Sequence, residues 1–159
     1  QVLRFPSIYG SSSFDVVDID GDKDLDIVYT AGDNADFTTV LKPYHGMYVF
    51  ENTGGFTFKQ KAFFSQNGAT KVMPGDFDGD GDADLISIAL FPDVAARPGE
   101  GAMYFENKKG IEIGGPSAIF DKKGTTPQLL LIFRQLQKYF QKGIAGSAKS
   151  VSIAAKKEL

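Results

Sequence analysis

The chain has no cysteine and one histidine, His45. Without thiols it forms no disulfide, runs no thiol catalysis and builds no zinc–thiolate site. A lone imidazole argues against a multi-histidine metal centre. No apolar run reaches the roughly eighteen residues a membrane-spanning helix needs, so no transmembrane segment is expected. What is present suits a folded domain. Of 159 residues, 42% are apolar and 13% aromatic, enough to build a core over most of the length. Eighteen glycines and seven prolines imply many turns, as in an all-β chain.

The net charge of −3 conceals an asymmetry. Residues 1–114 hold 9 Lys/Arg against 18 Asp/Glu, and residues 115–159 hold 8 against 2. An acidic body is thus joined to a basic tail. In the tail, Thr126-Pro127 reads as the start of a helix over 127–142. Leu129, Ile132, Phe133, Leu136, Tyr139 and Phe140 fall at helical spacing, and Gly143 is a stop. The tail lysines are scattered and its aromatic residues fit the apolar stripe. A packed cap is therefore expected rather than a nucleic-acid or membrane contact, and a further short strand is expected at 151–154. The chain opens at Gln1 with no signal-peptide pattern, as a processed or excised product would.

Two motifs recur in the same order. DIDGDKDLDIV, Asp18 to Val28, returns 58 residues later as DFDGDGDADLI, Asp76 to Ile86. The Tyr-x-Phe-Glu-Asn segment that ends at Asn52 returns as Tyr-Phe-Glu-Asn ending at Asn107, 55 residues on. Chance is a poor account of two motifs at nearly one spacing. Each copy reads as four antiparallel strands. In the first, these are Phe14–Val17, the run from Leu25 through Tyr29, Tyr48–Glu51, and a fourth strand carrying Phe56 and Phe58 beyond an Asn52-Thr53-Gly54-Gly55 turn. In the second, they fall near 70–75, 84–90, 102–106 and 111–113. The expected division is a lead-in strand at 1–11, repeats at 12–60 and 61–114, and the tail at 115–159. Four strands in about fifty residues is the size of a propeller blade.

Five aspartates alternate across each acidic segment: Asp18, Asp20, Asp22, Asp24 and Asp26, then Asp76, Asp78, Asp80, Asp82 and Asp84. Crowded carboxylates repel one another. A hard dication removes that cost, and Ca²⁺ accepts about six to eight oxygens. Two Ca²⁺ sites are expected, with Gly21 and Gly79 turning the chain around each ion. Positions 1, 3, 5 and 9 of each segment would give carboxylates, and position 7 (Asp24, Asp82) a backbone carbonyl. Mg²⁺ fits less well, because it keeps several waters and demands an octahedron. An EF-hand would need a carboxylate at the twelfth position, where Tyr29 and Ser87 stand, and helical flanks in place of these β-like ones.

The string D-x-D-G-D-x-x-x-D before an apolar strand, followed by Y-x-F-E-N and a glycine turn, resembles the FG-GAP/VCBS-type repeat over about residues 12–113. That repeat is similar to the calcium-binding blades of integrin α-subunit propellers and of many secreted bacterial proteins. The resemblance implies β-propeller-type blades with Ca²⁺ at Asp18, Asp20, Asp22 and Asp26 and at Asp76, Asp78, Asp80 and Asp84. It implies a non-enzymatic, secreted or cell-surface module for adhesion or for protein or carbohydrate recognition. Two units do not close a ring, so further blades or oligomerisation are expected. The alternative is a fragment or accessory part of a polysaccharide-degrading lyase or hydrolase, since some polysaccharide lyases have a similar calcium-bearing fold. The irregular loops at 31–45 and 91–101 are the places where a ligand would meet Tyr44, His45, Phe91 or Arg97. His45 itself is expected at a loop surface, not as a catalytic base.

Overall fold

The computed structural model describes residues 2–33, 42–93, 95–97, 99–108, 113–121 and 124–125. Alternating apolar side chains and glycine-rich turns produce two sheets. The first is a meander of β1 (Ser11–Val17), β2 (Asp26–Ala31), β3 (Gly46–Asn52) and β4 (Phe58–Ser65), paired in that order. The second repeats it with β5 (Ala69–Gly75), β6 (Asp84–Ala89), β7 (Ala102–Phe105) and β8 (Ser117–Ala118). Every pairing is antiparallel. A small hairpin, β9 (Phe120–Asp121) with β10 (Gly124–Thr125), follows. No α-helix occurs among the described residues.

The two sheets share one core. On the first, Val28, Met47 and Val49 face inward with Ile19 of the acidic loop; on the second, Val72, Leu85 and Phe105 meet them. Each such side chain removed from water contributes about 1.5–3 kcal/mol. Strand β5 lies against β1 and β2, so the inner strands of the two sheets adjoin. Glycine is required where they meet: a Cβ on Gly32 would lie 2.2 Å from the Ala69 backbone.

The outer face of the first sheet carries Tyr29, Tyr48 and Phe50. Leu3, Phe5 and Tyr9 cover it. Phe5 stacks on Tyr29 with ring centroids 4.1 Å apart, and Tyr9 stacks on Tyr44 at 4.9 Å. The lead-in strand expected at 1–11 is therefore not a strand. Pro6 leads into a three-residue 3-10 turn, Ser7–Tyr9, which Gly10 ends at φ 61°.

Other boundaries move too. The expected division between residues 60 and 61 falls inside β4. The sheets part at Gln66–Gly68, because Lys59, Gln60 and Lys61 are the exposed stretch of a strand and not its end. Phe56 is not on the fourth strand but in the preceding turn, exposed, at φ 58°. Of the strand expected at 111–113, only Ile113 is among the described residues, and it forms an isolated bridge with Asn107. Gly114-Gly115-Pro116 breaks the run, and the partner of β7 is β8. The helix expected at 127–142 and the short strand at 151–154 lie outside the described residues.

Candidate metal centre

The acidic segments are the loops that join β1 to β2 and β5 to β6, and they emerge at the same end of the two sheets. Both take the same backbone path. Gly21 and Gly79 have φ of 80° and 90°, and two residues later Lys23 and Gly81 have 79° and 98°. Backbone amides inside each loop point at its carboxylates. Asp18 Oδ1 accepts from the Gly21 N–H at 2.8 Å and Asp76 Oδ1 from the Gly79 N–H at 2.6 Å. Asp20 and Asp78 each accept from the N–H two residues on, at 3.1 Å.

Of the five aspartates in each loop, three converge. Single oxygens of Asp18, Asp20 and Asp26 lie within 4.8 Å of one another, and so do those of Asp76, Asp78 and Asp84. Asp22, Asp24, Asp80 and Asp82 are not in these groups. Asp22 and Asp80 are exposed, and each accepts from the N–H of the position-7 aspartate that follows.

The ninth-position aspartates are fully buried. Asp26 accepts from the N–H of Ile19 at 3.0 Å and of Asn52 at 2.8 Å. Asp84 accepts from the N–H of Phe77 at 3.0 Å, of Asn107 at 2.9 Å, and from the Tyr104 hydroxyl at 2.9 Å. Each therefore fastens its loop to the end of the third strand of its own sheet. The two asparagines add side-chain bonds: Asn52 Nδ2 to the Leu25 carbonyl, Asn107 Nδ2 to those of Ala83 and, across the sheets, Ile19. Sequence reading did not single out Asn52, Asn107 or Tyr104 as site residues. The recurrence of Glu-Asn at the same point of both copies was the signal.

The electrostatics follow from crowding. Burial, then neighbouring carboxylates, raise the pKa of Asp20 and Asp78 above the ordinary carboxylate range, against the pull of a backbone N–H. Asp24 is raised in the same direction, and Asp82 is pushed up to about 6. Both oxygens of Asp82 and Oδ1 of Asp24 are shielded from solvent without a hydrogen-bond partner. None of the ion pairs among the described residues involves the six converging carboxylates. A cleft of about 500 Å³ runs between the loops, with Asp18, Asp20, Asp76 and Asp82 on its walls. The donor set is hard oxygen throughout, and it fits a hard dication.

His45 is not at the surface. It is fully buried at the opposite end of the sheets, where burial and then the Lys42 charge hold its pKa below the ordinary imidazole value. A loop residue gives no sequence periodicity from which burial is legible.

Residues 32–87 match the FG-GAP-like repeat family. The matched stretch runs from the end of β2 through β3, β4 and β5 to the second acidic loop and into β6, so this FG-GAP-like repeat straddles the two sheets. No curated protein and no solved structure matches the chain.

Proposed function

We propose, from the premise of that FG-GAP-like repeat, that the chain is a calcium-binding propeller-type module with one Ca²⁺ in each acidic loop. Asp18, Asp20 and Asp26 hold one ion and Asp76, Asp78 and Asp84 the other, with Asp22, Asp24, Asp80 and Asp82 completing the oxygen set. The supporting observation is the convergence of three carboxylates in each loop, with no basic side chain paired to them among the described residues. When bound, the ion cancels the mutual repulsion of these groups. The chain's own part is to hold them: backbone amides orient Asp18 and Asp76, and buried Asp26 and Asp84 tie the loops to β3 and to the end of β7. The role is structural and non-enzymatic. It serves adhesion or recognition of a protein or carbohydrate at the cell surface or in a secreted protein, where calcium is plentiful. Two sheets leave a ring open, so the module works beside further blades or copies.

Calorimetric titration of chelator-stripped protein with CaCl₂ tests this. Two ions per chain are expected in the unaltered protein, and one in Asp78→Ala. Calcium at about a hundredfold excess over Kd should stabilise by about 2.7 kcal/mol per site, seen as a rise in Tm that EDTA reverses. No heat and an unmoved Tm would remove the ion from the account.

A further inference from the structure

The duplication lets the two sheets be compared position by position. Ile19 and Val28 correspond to Phe77 and Ile86 at the offset of 58, and Met47 and Val49 to Ala102 and Tyr104 at the offset of 55. In the first copy these side chains are sealed, each 2% exposed or less, because the second sheet packs on them. In the second copy the corresponding side chains gather, with Ile119, on the far face of the sheet. Met73 pairs with Ile86 and Ile88 with Ala102, so both belong to that face too. No third four-stranded sheet packs there among the described residues. Met73 is 38% and Ile88 39% exposed, whereas Thr30, the counterpart of Ile88, is fully buried.

A face that is a packing surface in one copy calls for a cover in the other. The chain supplies one. Ile119, just after β8, belongs to the cluster, and the β9–β10 hairpin that follows ends at Thr125. Residues 126–159 therefore start from the border of this face. They repeat neither the acidic segment nor the Tyr-Phe-Glu-Asn motif, so they do not provide a third sheet of the same kind. They do provide Leu129, Ile132, Phe133, Leu136, Tyr139 and Phe140, an apolar stripe at helical spacing. A helix over 127–142 would run about 24 Å, against about 20 Å for the six residues of β6, so one stripe spans the face. Tethered at the border, it acts at an effective concentration on the order of mM, above that of a second copy in ordinary solution.

We propose that residues 127–142 pack as an amphipathic helix across the far face of the second sheet, with their apolar stripe on Met73, Ile86 and Ile88. The cap ends the row of sheets on that side. Further blades or copies are left the side of the first sheet, where Phe14 and Val16 stay exposed on β1. The inference stands apart from the ion reading, because none of these side chains is a proposed ion ligand.

Nuclear Overhauser spectra of the full chain, labelled with ¹³C at the methionine methyls, test this. Of the three methionines, Met73 lies on the face in question and Met47 is fully buried between the sheets. Contacts from the Met73 methyl to the ring protons of Phe133, Tyr139 or Phe140 are expected, with Phe133→Leu and Phe140→Leu assigning the rings. Leu136→Asp should move the Met73 methyl resonance, leave that of Met47 in place and raise the binding of a hydrophobic dye. A Met73 methyl without contact to those rings in the unaltered chain, or one unmoved in Leu136→Asp, would overturn the proposal. So would contacts that arise only between labelled and unlabelled chains in a one-to-one mixture, which would assign the cover to a second copy. Calcium titration of the same samples reads the ion sites separately.

Discussion

Asp84 carries more of the fold than any exposed member of its loop. It answers three donors: the Phe77 and Asn107 amides and the Tyr104 hydroxyl. Asp84→Ala would leave them unpaired, each at about 1–3 kcal/mol, so a loss of about 3 kcal/mol or more is expected by urea denaturation in EDTA. Asp22→Ala, exposed, should change the same measurement by no more than about 0.5 kcal/mol. His45 gives a second test at this scale. Its folded pKa is lowered, so the unfolded chain takes up a proton that the folded chain refuses. Its contribution is complete above pH about 6.5 and is lost as pH falls below that value. The raised carboxylates Asp20, Asp24, Asp78 and Asp82 work in the opposite sense in ion-free protein. They bind protons in the folded state first, so stability rises as pH falls from about 6 toward 4. The difference in stability between the unaltered chain and His45→Gln across that range isolates the imidazole, and its slope should be positive with pH. The acidic spacing was legible in the sequence because carboxylates at every second position, twice over, repel one another unless a cation sits among them. The different duties of the five aspartates were not, since burial of Asp26 and Asp84 depends on strands that arrive from elsewhere.

Among the elements, β2, β3, β5 and β6 were readable from apolar runs bounded by turns. β4 and β8 were not. A register shift between Val49 and Phe50 disturbs the alternation opposite β4, and β8 lies beyond a Gly-Gly-Pro break. The segment before β1 departs from its sequence pattern for a related reason: Leu3 and Phe5 alternate as in a strand, yet they cover a sheet face without joining an edge. This makes Phe5 an anchor. Phe5→Ala should cost about 1–3 kcal/mol. It should also increase binding of a hydrophobic dye as Tyr29, Tyr48 and Phe50 lose their cover.

At the scale of the whole molecule, duplication predicted two like sheets, and two like sheets are found. Their contact was not legible, because nothing in either copy alone identifies the Asn107–Ile19 bond between residues 88 apart. That bond joins the third strand of the second sheet to the loop of the first. Asn107→Ala should therefore lower Tm and weaken calcium at Asp18, Asp20 and Asp26 as well as at the nearer loop. Asn52→Ala, whose side chain bonds the Leu25 carbonyl and the Gly54 N–H, should affect the first loop alone. Isothermal titration of both variants separates the two cases. The phenol of Tyr104 has a practical consequence. The chain has no tryptophan and six tyrosines, so its intrinsic ultraviolet emission belongs to phenol rings. One of those rings donates a hydrogen bond to the Asp84 carboxylate, an arrangement that quenches its light, and among the described residues Asp26 has no such companion. A change in brightness on filling would report the second loop without a label, and Tyr104→Phe would switch that signal off.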